Sequence, residues 1–446
     1  MWSETSRGAT RQDPVSVRRW VSRGGWAILD QGLFATANFV LNVLLARLLL
    51  PSEYGSFSVA YAILLLGGTF HTAFLTEPML VFGPGRYKSR FREYLRALVR
   101  WHWILTGAFA LAFMAIGAGF LWFGSSKGMA WTFAAMGIAT APILLQWLFR
   151  RSCYVNLQPR FAVEAGAVYF ATIVAGLFSL NSRGILAAGT AFILLAVGSL
   201  NASGWIFWRL TRLSHETDQP SLDVRQAALA HLDYGRWAAG TALLSWVPGN
   251  VYYILLPIVT SMEDVAGLRA LMNLIMPVLH VIAALGLLLL PALVKKIQDG
   301  ARLGPVVRNV SMLFILAAAG YGLFLMVAGE WLLEILYDNK YDSFSRLLLP
   351  LSILPIASAM IAVFGSVIRA FERPDLVFRA YLGTLAVTVT LGLALIYTLG
   401  VGGAAIGLLL SSSTTALLMG ALMKTSSTGE SRLRAHSQGH EDAHSG

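Results

Sequence analysis

Long apolar runs separated by short polar turns dominate the chain. Runs of about 20 residues, enough to cross a bilayer core as a helix, recur near 26–48, 56–82, 102–123, 130–149, 161–179, 185–208, 237–259, 267–294, 310–329, 347–368, 380–399 and 403–423. The pattern predicts an all-α polytopic membrane protein with about twelve transmembrane helices. Residues 1–25 are polar, carry Arg7, Arg11, Arg18, Arg19 and Arg23, and lack a small-residue cleavage site after a short apolar core. They read as a retained tail rather than a signal peptide.

The first hairpin breaks the apolar pattern most informatively. Two apolar helices flank the turn PSEYG, and they carry Asp30, Gln31, Asn38, Asn42 and Arg47 on the first and His71 and Glu77 on the second. Ionisable and amide groups are costly in hydrocarbon, so they face a cavity or a partner. Counting about 1.5 Å per residue from the predicted basic-side boundaries, Asn38, His71, Asn250 and His280 lie near or just beyond the midplane. Asp30 and Glu77 are shallower, and Arg47 and Arg269 fall toward the opposite mouth. Each group has a packing alternative. A buried Asn can join helices, Arg47 can snorkel to the interface, and Asp30 and Glu77 can pair with arginines as a latch rather than carry protons. Pro78, Pro142, Pro248, Pro257, Pro277, Pro291 and Pro355 fall inside spans. They predict bent or interrupted helices, above all the seventh and eighth.

The two halves correspond. LLARLLLPSEYGSFSVAYA matches LPIVTSMEDVAGLRALMN with Gly55 opposite Gly267, and Pro159 falls opposite Pro374 at nearly the same offset. Two matches at one offset suggest a six-helix duplication with both copies in the same orientation, as in some transporters. The expected domains are a basic cytoplasmic tail (1–25), an N-terminal six-helix lobe (26–208), a cytoplasmic linker (209–236), a C-terminal six-helix lobe (237–423) and a disordered cytoplasmic tail (424–446).

Composition supports this class. Of 446 residues 56% are apolar and 13% charged, with mean hydropathy +0.64, outside the range of soluble domains. The net charge of +11 carries topological information more than it suggests nucleic acid. All 34 Lys and Arg except Arg47, Lys127, Arg183, Arg269, Lys340 and Arg346 fall in the segments that an even helix number places with the termini. The positive-inside rule then puts both termini in the cytoplasm. RYKSRFREYLRALVR (86–100) has helical apolar spacing and reads as an amphipathic helix on the inner leaflet. A single cysteine, Cys153, excludes an internal disulfide and a cysteine metal site. No GxxxxGK[ST], no HExxH and no large extramembrane domain occur, so no cofactor, metal or enzymatic centre is expected.

The turn Leu49-Leu50-Pro51-Ser52-Glu53-Tyr54-Gly55 between two apolar helices resembles the opening of Wzx-type polysaccharide flippases of the multidrug/oligosaccharidyl-lipid/polysaccharide (MOP) exporter superfamily. The resemblance implies a V-shaped pair of six-helix lobes with a cavity lined mainly by the first, second, seventh and eighth helices. It implies flipping of a polyprenyl-diphosphate-linked oligosaccharide between the leaflets of a bacterial inner membrane, with polymerase or glycosyltransferase partners. In that setting Arg47 and Arg269 are candidate anion contacts. Asn38, His71, Asn250 and His280 are candidate sugar contacts, Trp246 and Tyr253 candidate stacking rings, and Asp30 and Glu77 candidate ion-coupling groups. Glu53 and Tyr54 read as turn structure. Two alternatives stay open, a cation-coupled multidrug exporter of the same superfamily and a membrane-integral glycan polymerase or ligase.

Overall fold

The computed structural model describes residues 14–124, 126–212, 222–299 and 303–442. Residues 1–13, 213–221 and 443–446, which include parts of the expected tails and linker, lie outside the described residues. Among those described, eleven helices are long and apolar enough to cross a membrane. The last of them contains Gly400 at φ 55° and ψ −129°, which no helix accommodates, so it divides into the two spans expected there. The close approach of its halves explains the neighbouring glycine, since a Cβ on Gly403 would fall 1.8 Å from the Leu395 carbonyl oxygen.

The helices are α1 (Pro14–Leu48), α2 (Pro51–Phe82), α3 (Phe91–Trp122), α4 (Lys127–Val155), α5 (Pro159–Ser182), α6 (Ala188–Thr211), α7 (Val224–Val259), α8 (Met262–Gln298), α9 (Leu303–Tyr337), α10 (Asp342–Ala370), α11 (374–399) and α12 (401–442). Their starts follow local chemistry. Pro51, Pro159 and Pro374 occupy first turns, where a missing N–H costs nothing. The side chains of Ser126, Asp223 and Ser261 accept from the backbone N–H of Met129, Gln226 and Asp264 to cap α4, α7 and α8. Glu53, in the signature turn, accepts from the Ala188 N–H at 2.8 Å and so anchors the start of α6.

Two lobes result. In the first, α4 packs on α3 and α6, α5 on α6, and α1 on α5. In the second, α10 packs on α8, α9 and α12, while α7 lies against α11 and α12. The lobes meet through α1, α2, α7 and α8. The bundle has a hairpin end, bearing the α1–α2 and α7–α8 turns, and a basic end, bearing the α2–α3 and α4–α5 turns and Arg86–Arg100. The hairpin end is tightly joined, since a Cβ on Gly55 would lie 1.9 Å from the Met262 carbonyl oxygen. At its counterpart Gly267 a Cβ would lie 2.6 Å from the Phe344 ring.

Several expectations give way. The stretch 91–100 is no separate surface helix but the first turns of α3. Its apolar face, with Tyr94 and Leu98, is buried against Leu75, Met79, Leu148 and Ala227, so protein rather than lipid covers it. Within the expected linker, helix α7 already begins at Val224. Despite their prolines α7 and α8 run without interruption. The breaks fall instead in α2, where a π-turn at Thr72–Thr76 precedes Pro78, and in α11 at Thr388–Gly392. Helical backbone continues to Asp442.

Candidate functional site

The lobe junction is built around Arg269, which α8 places two turns beyond its Ser261 cap. The side chain is only 7% exposed. One Nη donates to Asn42 Oδ1 on α1 at 3.3 Å. The guanidinium carbon lies 5.6 Å from the ring centre of Tyr61 on α2 and 5.5 Å from that of Tyr253 on α7. Its Nε has no hydrogen-bond partner, and no described carboxylate pairs with it. All four central helices therefore converge on one positive charge.

A chain of neutral groups surrounds that charge. Asn273, one turn after Arg269, donates to the Tyr54 hydroxyl at 2.9 Å, and Tyr54 donates to Asn42 Oδ1 at 3.5 Å. Tyr337 on α9 donates to the Ala270 carbonyl at 3.1 Å. Tyr54 is fully buried, so the residue read as turn structure is a member of this network. Burying a guanidinium costs several kcal/mol. One hydrogen bond to a charged group returns about 1.5–3 kcal/mol, and each ring contact about 0.5–2. The site is thus a desolvated cation held by neutral groups alone.

Other contacts clamp the hairpin end. Arg47 is exposed and donates to the Ile335 carbonyl near the end of α9 at 2.8 Å. The Lys340 ammonium donates to the carbonyls of Ala46, Arg47 and Leu49 at 3.4, 2.5 and 2.9 Å, satisfying the open end of α1 and its negative dipole. Arg47 and Arg269, paired by sequence, therefore sit in different environments.

Asp30 is 1% exposed and pairs with Arg150 on α4, with Nη2 at 2.8 Å and Nε at 2.9 Å. Tyr154 donates to the same carboxylate, and the Arg150 guanidinium stacks on Phe34 at 4.2 Å. This pair joins α1 to α4 within one lobe. Glu77 is exposed and accepts from Tyr234 on α7 at 3.0 Å, a link across the lobes made by tyrosine rather than arginine.

The four midplane residues are not brought together. Asn38 donates to its own helix at Phe34 and lines a small cavity inside the first lobe, of about 20 Å³, with Tyr61, Gln146, Trp147 and Tyr169. Asn250 and His280 also bond their own helices, through Trp246 O at 3.0 Å and Met276 O at 2.7 Å. His71 is fully buried, with Nε2 3.0 Å from Nδ1 of His102 on α3. Trp246 is half-buried with its indole N–H unpartnered. Asn42, Tyr54, Tyr61, Asn273 and His102 were not among the expected site residues. The four-residue spacing of Arg269 and Asn273 on one helix face was a usable signal.

No protein-family model matches the sequence, and no curated protein matches it. Solved structures share its fold. An inward-facing multidrug-resistance MATE transporter of the MOP superfamily superposes with TM-score 0.72 at 12% identity, over 91% of this chain and 99% of that one. The lipid II flippase MurJ, in an inward closed conformation, gives 0.67 at 12% identity over 91% and 87%. The eukaryotic MATE transporter AtDTX14 gives 0.63 at 14% identity over 91% and 96%. The two-lobed, twelve-helix architecture is that of these transporters.

Proposed function

We propose that the protein is a MOP-type transporter that moves an anionic, lipid-linked oligosaccharide, the head carried as a polyprenyl diphosphate, from the inner to the outer leaflet of a bacterial inner membrane. The observation that carries this reading is Arg269, a buried cation at the meeting of the four central helices with no acidic partner. A diphosphate is the complement that such a guanidinium lacks, and tyrosine and asparagine around it suit sugar hydroxyls and ring faces. The fold shared with MurJ, described as a lipid II flippase, agrees with a lipid-linked cargo.

A cation exporter built on the same fold needs negative charge at its centre. Asp30 is the buried carboxylate among the described residues, and Arg150 already neutralises it. Charge at the junction therefore favours an anionic cargo over a cationic drug. With the basic end in the cytoplasm, as charge bias requires, the joined hairpin end closes the outer side. At the basic end Ile28 and Leu29 of α1 and Val281, Leu285 and Leu288 of α8 are exposed, which leaves the α1–α8 mouth for head-group entry while the polyprenyl chain stays in lipid. Rocking of the lobes then breaks the Arg269–Asn42 contact and presents the bound head to the other side.

The test is a deletion strain scored for lipid-linked glycan on the cytoplasmic leaflet. Accumulation that is relieved by the parent gene and not by an equally expressed Arg269→Gln variant supports the reading. Absence of accumulation, together with loss of resistance to cationic dyes, overturns it in favour of drug export.

A further inference from the structure

We propose that His71 and His102 form a proton-binding site whose occupancy is transmitted to the lobe junction through the π-turn of α2. Both rings are completely buried. They meet at right angles, with centroids 5.2 Å apart and Nε2 of His71 3.0 Å from Nδ1 of His102. Of the two remaining ring nitrogens, His102 Nε2 faces the Ala141 carbonyl of α4, whereas His71 Nδ1 has no partner. Two neutral imidazoles carry two protons on four nitrogens. One proton lies between the rings and the other on one outer nitrogen, which leaves the opposite outer nitrogen as a bare lone pair. That lone pair is the acceptor for one proton from solvent. Uptake gives a singly charged pair with three N–H groups, the charge being shared through the central bond.

A structural role alone does not account for this arrangement. A packing histidine in a membrane core satisfies both nitrogens, as His231 does here by donating from Nδ1 to Phe74 O at 2.7 Å and accepting from Tyr94 at 2.5 Å. The dyad instead leaves His71 Nδ1 unpaired, at a cost of about 1–3 kcal/mol. Ionisable groups inside a membrane bundle are functional-site candidates, with proton relays among their roles. The elements packed around the pair carry Glu77 on α2, Tyr94, Arg96 and Arg100 on α3, Arg150 and Arg151 on α4, and His231 and Tyr234 on α7. None of these hydrogen-bonds either ring. A proton is therefore held by the dyad itself.

The route to the junction is short. His71 is the last residue of the regular part of α2, and the π-turn Thr72–Thr76 starts at the next residue. Within that turn, Phe74 receives the His231 bond from α7 and packs its ring on Gly235, where a Cβ would fall 2.2 Å away. Charging the dyad creates a new donor at His71 Nδ1 that must find an acceptor, and the adjacent π-turn interrupts the regular i→i−4 ladder, as such turns frequently do at functional sites. Proton uptake thus acts on the segment that holds α7 against α2. Proton binding here adds to the transport reading and is independent of which cargo is carried.

The test is nitrogen NMR of ¹⁵N-histidine-labelled protein in nanodiscs, titrated from about pH 8 to about pH 4, with electron–electron distance measurements on a Lys127→Cys/Ser343→Cys pair at the hairpin end. Cys153 is buried and stays in place. The expected result is an N–H···N coupling between two imidazoles, a ring-pair contact made among the described residues by His71 and His102, and uptake of one proton by that pair in step with a changed lobe distance. His102→Gln removes both responses. Should that variant fail to fold, the coupling in the unmodified protein still identifies the pair. A pair that stays neutral throughout, or one that takes up a proton while the lobe distance stays fixed, overturns the proposal. Loss of glycan export with both responses intact would instead point to the cargo reading.

Discussion

Arg269 donates to Asn42 Oδ1 at 3.3 Å across the boundary between the two lobes, and no described carboxylate shares that guanidinium. A buried charge held only by neutral groups is retained at a cost in stability. Replacing such a group with an apolar one of similar size is often neutral or stabilising. Arg269→Met is therefore expected to leave thermal stability unchanged or raise it by about 1–2 kcal/mol, while export falls at least about tenfold. Thermal unfolding in detergent and glycan export in cells, measured on the same variant, check the two halves.

The Asp30–Arg150 pair predicts the opposite pattern. Removing one partner leaves a buried uncompensated charge, so Asp30→Asn and Arg150→Met are each expected to cost about 3–5 kcal/mol and to lower yield. The double variant should regain most of that loss. Thermal unfolding of the two singles and the double closes the cycle. A stable Asp30→Asn protein with export abolished would instead make Asp30 a coupling group.

Gly55 controls how closely the lobes approach at the hairpin end. A Cβ 1.9 Å from the Met262 carbonyl oxygen meets backbone, which cannot step aside. Gly55→Ala is expected to penalise the joined state by about 1–3 kcal/mol, shifting the population toward an open hairpin end by roughly five- to 150-fold. Labelling of a cysteine placed at Ala46, with a membrane-impermeant maleimide, should rise accordingly.

Lys340 has a related role through electrostatics. It sits at the last carbonyls of α1 and is partly desolvated there, which holds its ammonium below the ordinary lysine range even though Asp338 opposes the effect. Lys340→Met should weaken the clamp by about 1–2 kcal/mol and add to Gly55→Ala in the same labelling assay. An unchanged labelling rate would remove Lys340 from the clamp.

How much of this was legible in the sequence depends on what each residue's environment requires. Helix number and class follow from apolar runs, which only a bilayer or a very large core tolerates. Gly55 and Gly267 stood out by correspondence, and a side chain at either would meet a neighbour, the Met262 backbone at Gly55 and the Phe344 ring at Gly267. Partner choice was not legible, because it is set by packing between helices distant in sequence. Asp30 read both as a latch to some arginine and as a coupling group, and which arginine faces it, Arg150, was not visible because the two lie far apart in the chain. Tyr54 looked like turn punctuation because its hydroxyl reaches a network assembled from α1, α8 and α9. His280 matched His71 in depth yet bonds its own helix on an exposed face, since depth along a helix says nothing about direction around it.

In the proposed transport cycle Arg269 receives an anionic head group. The most direct measurement is binding of a polyprenyl diphosphate to the purified protein in detergent, compared with the corresponding polyprenol and with ethidium. The account predicts that the diphosphate binds at least about tenfold tighter than the neutral lipid, and that Arg269→Gln abolishes the difference. Equal binding of the two lipids, or ethidium binding that survives while the diphosphate is ignored, would contradict it.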